Sequence, residues 1–231
     1  MRSAAWKTTL GPGGALLAFY DKMLSEFGPQ GWWPARSRLE VIVGSILVQN
    51  TAWQNAALAL KHLRARGLLS LTRLRKASRT EIEICVRPAG FFRQKAGTIR
   101  NFLDWLEVAC QGSLGKMFEL QPEEARQRLL GIKGLGPETV DAILLYAGGH
   151  PFFVADSYTR RVLARHKIVG GKANYDQVQR FLHRHLPPDP DLFNEYHALL
   201  VEVGKRHCKR PSPECLDCPL EGFLGPDQPM G

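Results

Sequence analysis

Apolar positions recur along this chain at intervals of three and four, and no stretch alternates apolar and polar residues as a strand would. The spacing predicts an all-α fold. A first helix is expected over 16–24, entered from the turn Gly11-Pro12-Gly13-Gly14. Ser37-Arg38-Leu39-Glu40 is a capping-box pattern and opens a helix through Val41, Ile42, Ser45 and Ile46. Thr51-Ala52-Trp53-Gln54 repeats the pattern and opens a helix through Leu63. Further helices are expected over 80–86, 93–109, 122–130, 137–147, 157–165, 174–185 and 191–206. Gly and Pro punctuate 27–34 and 210–213, and no low-complexity linker separates independent domains.

Between the helices expected over 122–130 and 137–147 stands the run Gly131-Ile132-Lys133-Gly134-Leu135-Gly136-Pro137. Gly131, Gly134 and Gly136 each permit positive φ and leave backbone N–H groups uncovered. Pro137 suits the first helical position, and Val140, Ile143, Leu144 and Ala147 give the following helix its apolar face. A glycine turn against a helix N-terminus offers donors and a positive dipole end to an anion.

Charge says which anion to expect. Lys and Arg outnumber Asp and Glu by 31 to 22 in 231 residues, for a net charge of +9 and a pI near 9.5. Such an excess suits a polyanion, here the phosphates of a nucleic acid. Asp156, shortly after the turn in Val154-Ala155-Asp156-Ser157, adds a lone carboxylate and points to an enzyme acting on DNA. It also directly precedes a helical pattern, so it equally suits an N-cap. No apolar run reaches the roughly 20 residues of a membrane span, and no signal peptide is legible, so the expected compartment is the cytoplasm, in association with the nucleoid.

Leu130-Gly131-Ile132-Lys133-Gly134-Leu135-Gly136, the aliphatic helix after it and Val154-Ala155-Asp156 resemble the helix-hairpin-helix/Gly-Pro-Asp superfamily of DNA glycosylases. The nearest branch is the endonuclease III-like one, and the resemblance runs from about Trp32 to Leu220. It implies a six-helix block over 36–150, a second lobe from 1–35 with 151–231, and a DNA-binding cleft between them. It also implies a monomer acting on damaged double-stranded DNA. In that setting Asp156 would stabilise an oxocarbenium-like sugar and orient or activate water.

Bifunctional members carry a lysine two residues past the last hairpin glycine, whose amine attacks the sugar and leads to strand cleavage. Here that position is Glu138, which cannot form an imine, so a monofunctional glycosylase is expected. Glu138 also suits the first turn of a helix as a dipole partner. Trp32, Trp33, Pro34 and Trp53 offer flat walls for a flipped base, or else simply fill a core. With Gln49-Asn50-Thr51 they resemble the 3-methyladenine subgroup, whose cationic lesions favour π faces. Gln49 matches the family position that fills the gap left by the flipped nucleotide, while Lys133 is placed to meet phosphate. Arg93, Lys95 and Arg100 are either backbone contacts or a solvated basic face, and His197 and Lys205 fall on the last long helix.

Five cysteines are an odd number, and three cluster near the end as Cys208-x6-Cys215-x2-Cys218. They match three of the four ligands of the family's [4Fe–4S] cluster, and the fourth position is Leu224. His207 or another thiol is a substitute ligand, zinc an alternative metal, and a lost cluster the remaining option. Cys85 and Cys110 lie in helical patterns and read as ordinary buried thiols. Two further readings of the whole stay open. One is an endonuclease III-like glycosylase/lyase for uracil, mismatched thymine or oxidised pyrimidines. The other is a non-catalytic helix-hairpin-helix DNA-binding protein.

Overall fold

The structure, a computed structural model, describes residues 5–225; the outermost ends of the expected second lobe lie outside them. Among the described residues there are twelve α-helices and no strand, as the apolar spacing requires. The residues fall into two compact units: Trp33–His150 form one, and those up to Trp32 and from Pro151 onward form the other.

The continuous unit holds α2 (Arg38–Leu47), α3 (Trp53–Ala65), α4 (Leu71–Lys76), α5 (Arg79–Val86), α6 (Phe92–Cys110), α7 (Leu114–Phe118), α8 (Pro122–Leu130) and α9 (Pro137–Tyr146). Helix α2 is its centre, packed against α3, α6 and α9, with Ile42, Ile46 and Leu47 fully buried. Ser37 caps α2 by accepting from the Glu40 N–H at 3.2 Å. The Glu40 carboxylate does not return to Ser37. It accepts from the Arg36 N–H at 3.4 Å and from the Arg64 guanidinium of α3, which keeps a buried charge paired.

Thr51 is not the cap that its pattern predicts. The N-cap of α3 is Ala52, without a side-chain bond, and the Thr51 hydroxyl instead accepts from Asn55 Nδ2 at 3.1 Å. Two helices have no counterpart in the sequence reading, α4 with 6 residues and α7 with 5. Both are too short for a 3.6-residue repeat to register.

The other unit holds α1 (Ala5–Phe27), α10 (Ser157–Arg165), α11 (Tyr175–His185) and α12 (Pro190–Arg206). Helix α1 begins earlier than the apolar pattern and kinks at Gly11, where φ is 63°. Helix α12 packs on α1 and α10, and its Tyr196 is fully buried. The Tyr196 hydroxyl donates to the Leu16 carbonyl at 2.7 Å, and burial pushes its pKa far above the usual phenol range. Among the described residues no helix is long and apolar enough to cross a membrane.

Candidate active site and nucleic-acid interface

The glycine turn joins α8 to α9 as a hairpin, but its three glycines do different things. Gly131 continues the right-handed helix at φ −70°, and Gly136 is extended at φ −100°. Positive φ is confined to Gly134, at 101°. A Cβ there would also fall 2.1 Å from Thr98 Oγ1 of α6, so backbone conformation and packing both demand glycine. At Gly136 a Cβ would meet nothing within 4 Å. The chain itself does not require glycine at that position, which leaves the start of α9 open to an approaching ligand.

Side chains from neighbouring elements hold the turn from behind. Gln49 Nε2 donates to the Gly134 carbonyl at 3.1 Å and to Thr139 Oγ1 at 2.8 Å. Asn101 Nδ2 donates to the Lys133 carbonyl at 2.9 Å. Ile132 and Leu135 are buried beneath the turn, while Lys133 is exposed. Below it, Arg126 of α8 grips the fully buried Asp141 of α9 through two bonds, at 2.6 and 3.1 Å. With the turn's carbonyls drawn inward, the amides of Lys133, Gly134 and Gly136 have no acceptor among the described residues. They form a ready anion nest at a helix N-terminus.

A groove beside the hairpin is lined by Gln49, Asn50, Arg79, Phe91, Arg93 and Lys133. Phe91 is 63% exposed and held in the left-handed region at φ 45°, a costly state for an aromatic residue. Sequence reasoning passed over it, since one exposed aromatic leaves no periodic signal. One of the three expected basic contacts is corrected here. Lys95 is buried, and its ammonium donates to the Leu47 carbonyl at 2.9 Å and the Ala89 carbonyl at 2.6 Å. It closes the end of α2 and the 3₁₀ turn Arg87–Ala89, and burial lowers its pKa. Arg100 donates to the carbonyls of Arg75 and Ala77 and so closes α4. Arg93 remains exposed.

In the same unit Trp33 meets Trp53 edge to face, with centroids 5.0 Å apart, and Tyr146 of α9 lies 5.4 Å from Trp33. Gly44 makes room for this group: a Cβ there would approach Trp33 Cζ2 to 3.0 Å. Trp33 and Trp53 are half-buried and Pro34 is exposed. Tyr146 was overlooked because it lies off the apolar face of α9. Glu138 stands exposed in the first turn of that helix. Trp32 is half-buried and belongs to the other unit.

That other unit presents Asp156. The segment 152–155 before it is buried. His183 and Gln179 of α11 fix the segment, accepting the Phe153 N–H at 2.9 Å and donating to its carbonyl at 2.8 Å. Asp156 Oδ1 caps α10 by accepting from the Thr159 N–H at 2.7 Å, and Oδ2 lies 3.6 Å from Nε2 of His197 on α12. The cap and the candidate catalytic group are thus one carboxylate. Burial opposes its ionisation, but the His197 imidazole and the Thr159 amide outweigh it and hold the pKa below the usual carboxylate value. The Asp156 side chain keeps 13% of its surface exposed. His197 had a place on its helix in the sequence reading but no partner. Lys205 is exposed.

The cysteines lie in the same unit. Cys208, Cys215 and Cys218 line one cavity of about 230 Å³ together with Arg165, His207 and Leu224. Arg161 donates to the Cys208 carbonyl at 2.7 Å and Arg165 to its sulfur at 3.3 Å, tying the loop to α10. Burial pushes the Cys218 thiol up to about 11, with Cys215 and Cys208 adding to the rise. Among the described residues no three His, Cys, Asp or Glu side chains are gathered closely enough for a single metal ion. Cluster ligands bind different irons and stand further apart. A thiol-lined cavity of this size fits such a group, with three donors from cysteine.

A profile of HhH-GPD superfamily base excision DNA repair proteins matches residues 43–188. A Methanocaldococcus jannaschii protein, MJ1434, provisionally named a DNA repair glycosylase, is 37% identical over 206 residues, covering 88% of this chain and 93% of its own. Endonuclease III of Sulfolobus acidocaldarius is 27% identical over 189 residues, 81% of this chain and 82% of its own. Among solved structures, a Helicobacter pylori 3-methyladenine DNA glycosylase bound to 1,N6-ethenoadenine superposes with a TM-score of 0.73 at 24% identity, covering 84% of this chain and 97% of that one. An endonuclease III–DNA complex gives 0.74 at 21%, over 91% and 96%. The chain belongs to the HhH-GPD superfamily of base excision repair proteins and is a DNA glycosylase.

Proposed function

We propose that this glycosylase is monofunctional and removes an N-alkylated purine from duplex DNA, leaving an abasic site. The observation that carries the reading is the Asp156 carboxylate, half-buried, its pKa lowered by the His197 imidazole and the Thr159 amide, and its position fixed by the Thr159 amide beside His197. Hydrolysis needs such a group. As the C1′–N bond of the lesion breaks, its electron pair leaves with the base and positive charge grows on the sugar. The carboxylate stabilises that charge and directs a water oxygen to C1′, and the water's proton passes to the carboxylate and on to solvent. A purine alkylated on a ring nitrogen departs as a neutral base, so no acid is required at the leaving group. The faces of Trp33, Trp53 and Tyr146 suit such a cation, an attraction of about 0.5–2 kcal/mol.

Glu138 supports the monofunctional part, since a carboxylate cannot form the Schiff base that precedes strand cleavage. The nest at Lys133, Gly134 and Gly136 would take a backbone phosphate, and the groove with Arg93 and Phe91 would continue along the duplex. Gln49, which braces the hairpin, keeps its carbonyl oxygen for the nucleic acid. Cys208, Cys215 and Cys218 would hold an iron–sulfur cluster that ties the loop to an inorganic core and takes no step in base removal.

The test offers the protein duplexes containing 3-methyladenine, 7-methylguanine, uracil or an oxidised pyrimidine, with and without hot alkali. Release of the alkylpurines, with strand cuts appearing only after alkali, is expected. Cuts without alkali would overturn the monofunctional reading. Preference for uracil or oxidised bases would overturn the substrate, and binding without release from any duplex would leave only a DNA-binding module.

A further inference from the structure

We infer that the C-terminal loop holds its cluster through three thiolates alone, so that one iron has no protein thiolate and is exchangeable. The inference rests on the cluster reading above and concerns its ligand set.

Cys208, Cys215 and Cys218 line one cavity, and Leu224 lies on the same wall with 4% of its surface exposed. Leu224 also stands where the fourth thiol of a Cys-x6-Cys-x2-Cys-x5-Cys loop would fall. Its isobutyl group has no lone pair to give an iron, and its burial makes it a fixed part of the wall. Cys85 and Cys110, the remaining cysteines, are buried within α5 and α6 of the other unit. Of the other donors that line the cavity, Glu214 accepts from Lys209 through both carboxylate oxygens at 2.8 and 2.7 Å, His166 packs edge-on against Phe19, and His207 is the competing donor beside Cys208. It lines the cavity, but its ring stacks on Phe27 at 6.1 Å with an interplanar angle of 20°. The three thiols would therefore supply three of the four ligands of such a cluster, and the fourth sequence position carries an apolar side chain.

A corner iron without a thiolate is the one lost on oxidation. [4Fe–4S]²⁺ releases one Fe²⁺ and one electron to become [3Fe–4S]⁺, and ferricyanide supplies the oxidant. The full chain is purified anaerobically, assayed for iron and acid-labile sulfide, and titrated with ferricyanide under electron paramagnetic resonance. The expected result is a three-iron signal and loss of a quarter of the iron, in wild type and His207→Ala alike. Leu224→Cys keeps its iron. Re-addition of ferrous iron-57 with dithionite, which returns the electron, to oxidised wild type then labels a single Mössbauer site, a readout that needs no variant.

Absence of iron and sulfide in the anaerobic protein would overturn the cluster reading itself. A wild-type cluster that survives ferricyanide intact would overturn the three-thiolate assignment. Iron loss confined to His207→Ala would overturn it too, by naming His207 as the fourth ligand.

Discussion

The Arg126–Asp141 pair sets how firmly the hairpin between α8 and α9 is built. Asp141 has no exposed surface, and Arg126, 17% exposed, reaches it from the helix on the other side of the turn. Removing one partner strands a charge in the interior and costs about 3–5 kcal/mol, with the partial exposure of Arg126 favouring the lower end. About 3 kcal/mol is roughly a hundredfold in the folding constant. Asp141→Ala is therefore expected to lower the urea midpoint and to loosen the hairpin. Affinity for undamaged duplex should fall with it. The double replacement Arg126→Met with Asp141→Leu exchanges the pair for apolar volume and should return stability to within about 1 kcal/mol of wild type. Urea unfolding followed by circular dichroism and tryptophan fluorescence, run on both single variants and the double, gives the coupling directly. Additive losses, or an Asp141→Ala cost below 1 kcal/mol, would refute the reasoning.

Three other outcomes follow from the site. Because the Asp156 pKa is depressed, its ionised form persists as pH falls past the usual carboxylate value, while the stability it contributes is full above that value and is lost progressively as pH falls from there through the lower folded value. His197→Asn removes the lowering partner but leaves the burial, so the acid limb of the single-turnover rate should move to higher pH; an unmoved limb would remove His197 from the account. Gly134→Ala forces a Cβ onto Thr98 at a φ of 101° and should cost at least about 1 kcal/mol, together with DNA affinity, measured by thermal unfolding and fluorescence anisotropy. Wild type should give no borohydride-trapped DNA adduct, whereas Glu138→Lys should give one on abasic duplex; trapping in the wild type would contradict the role given to Glu138.

What could be read in advance depended on the range of the interaction. Helices α6 and α12 announced themselves through many repeats of one apolar face, while α4 and α7 end before a repeat is complete. Asp156 stood out locally as a lone carboxylate before a helical pattern, but its neighbour His197 arrives on a distant helix through tertiary packing alone. Lys95 misled because a lysine in a basic run reads as solvated until the carbonyls of Leu47 and Ala89 close over it. Thr51 misled for a related reason: its hydroxyl found Asn55 before it found a backbone amide. The three hairpin glycines looked equivalent, and only the φ of Gly134 and the open space at Gly136 separate their roles.

The claim on which the rest depends is that the Asp156 carboxylate performs base removal rather than only capping α10. Asn caps a helix about as well as Asp but cannot stabilise a growing cation or accept a proton. Single-turnover release of 7-methylguanine by Asp156→Asn, measured beside its affinity for the same duplex, separates the two roles. A rate lower by roughly 10²–10⁴ with the dissociation constant and thermal stability near wild type is expected. An unchanged rate would contradict the account.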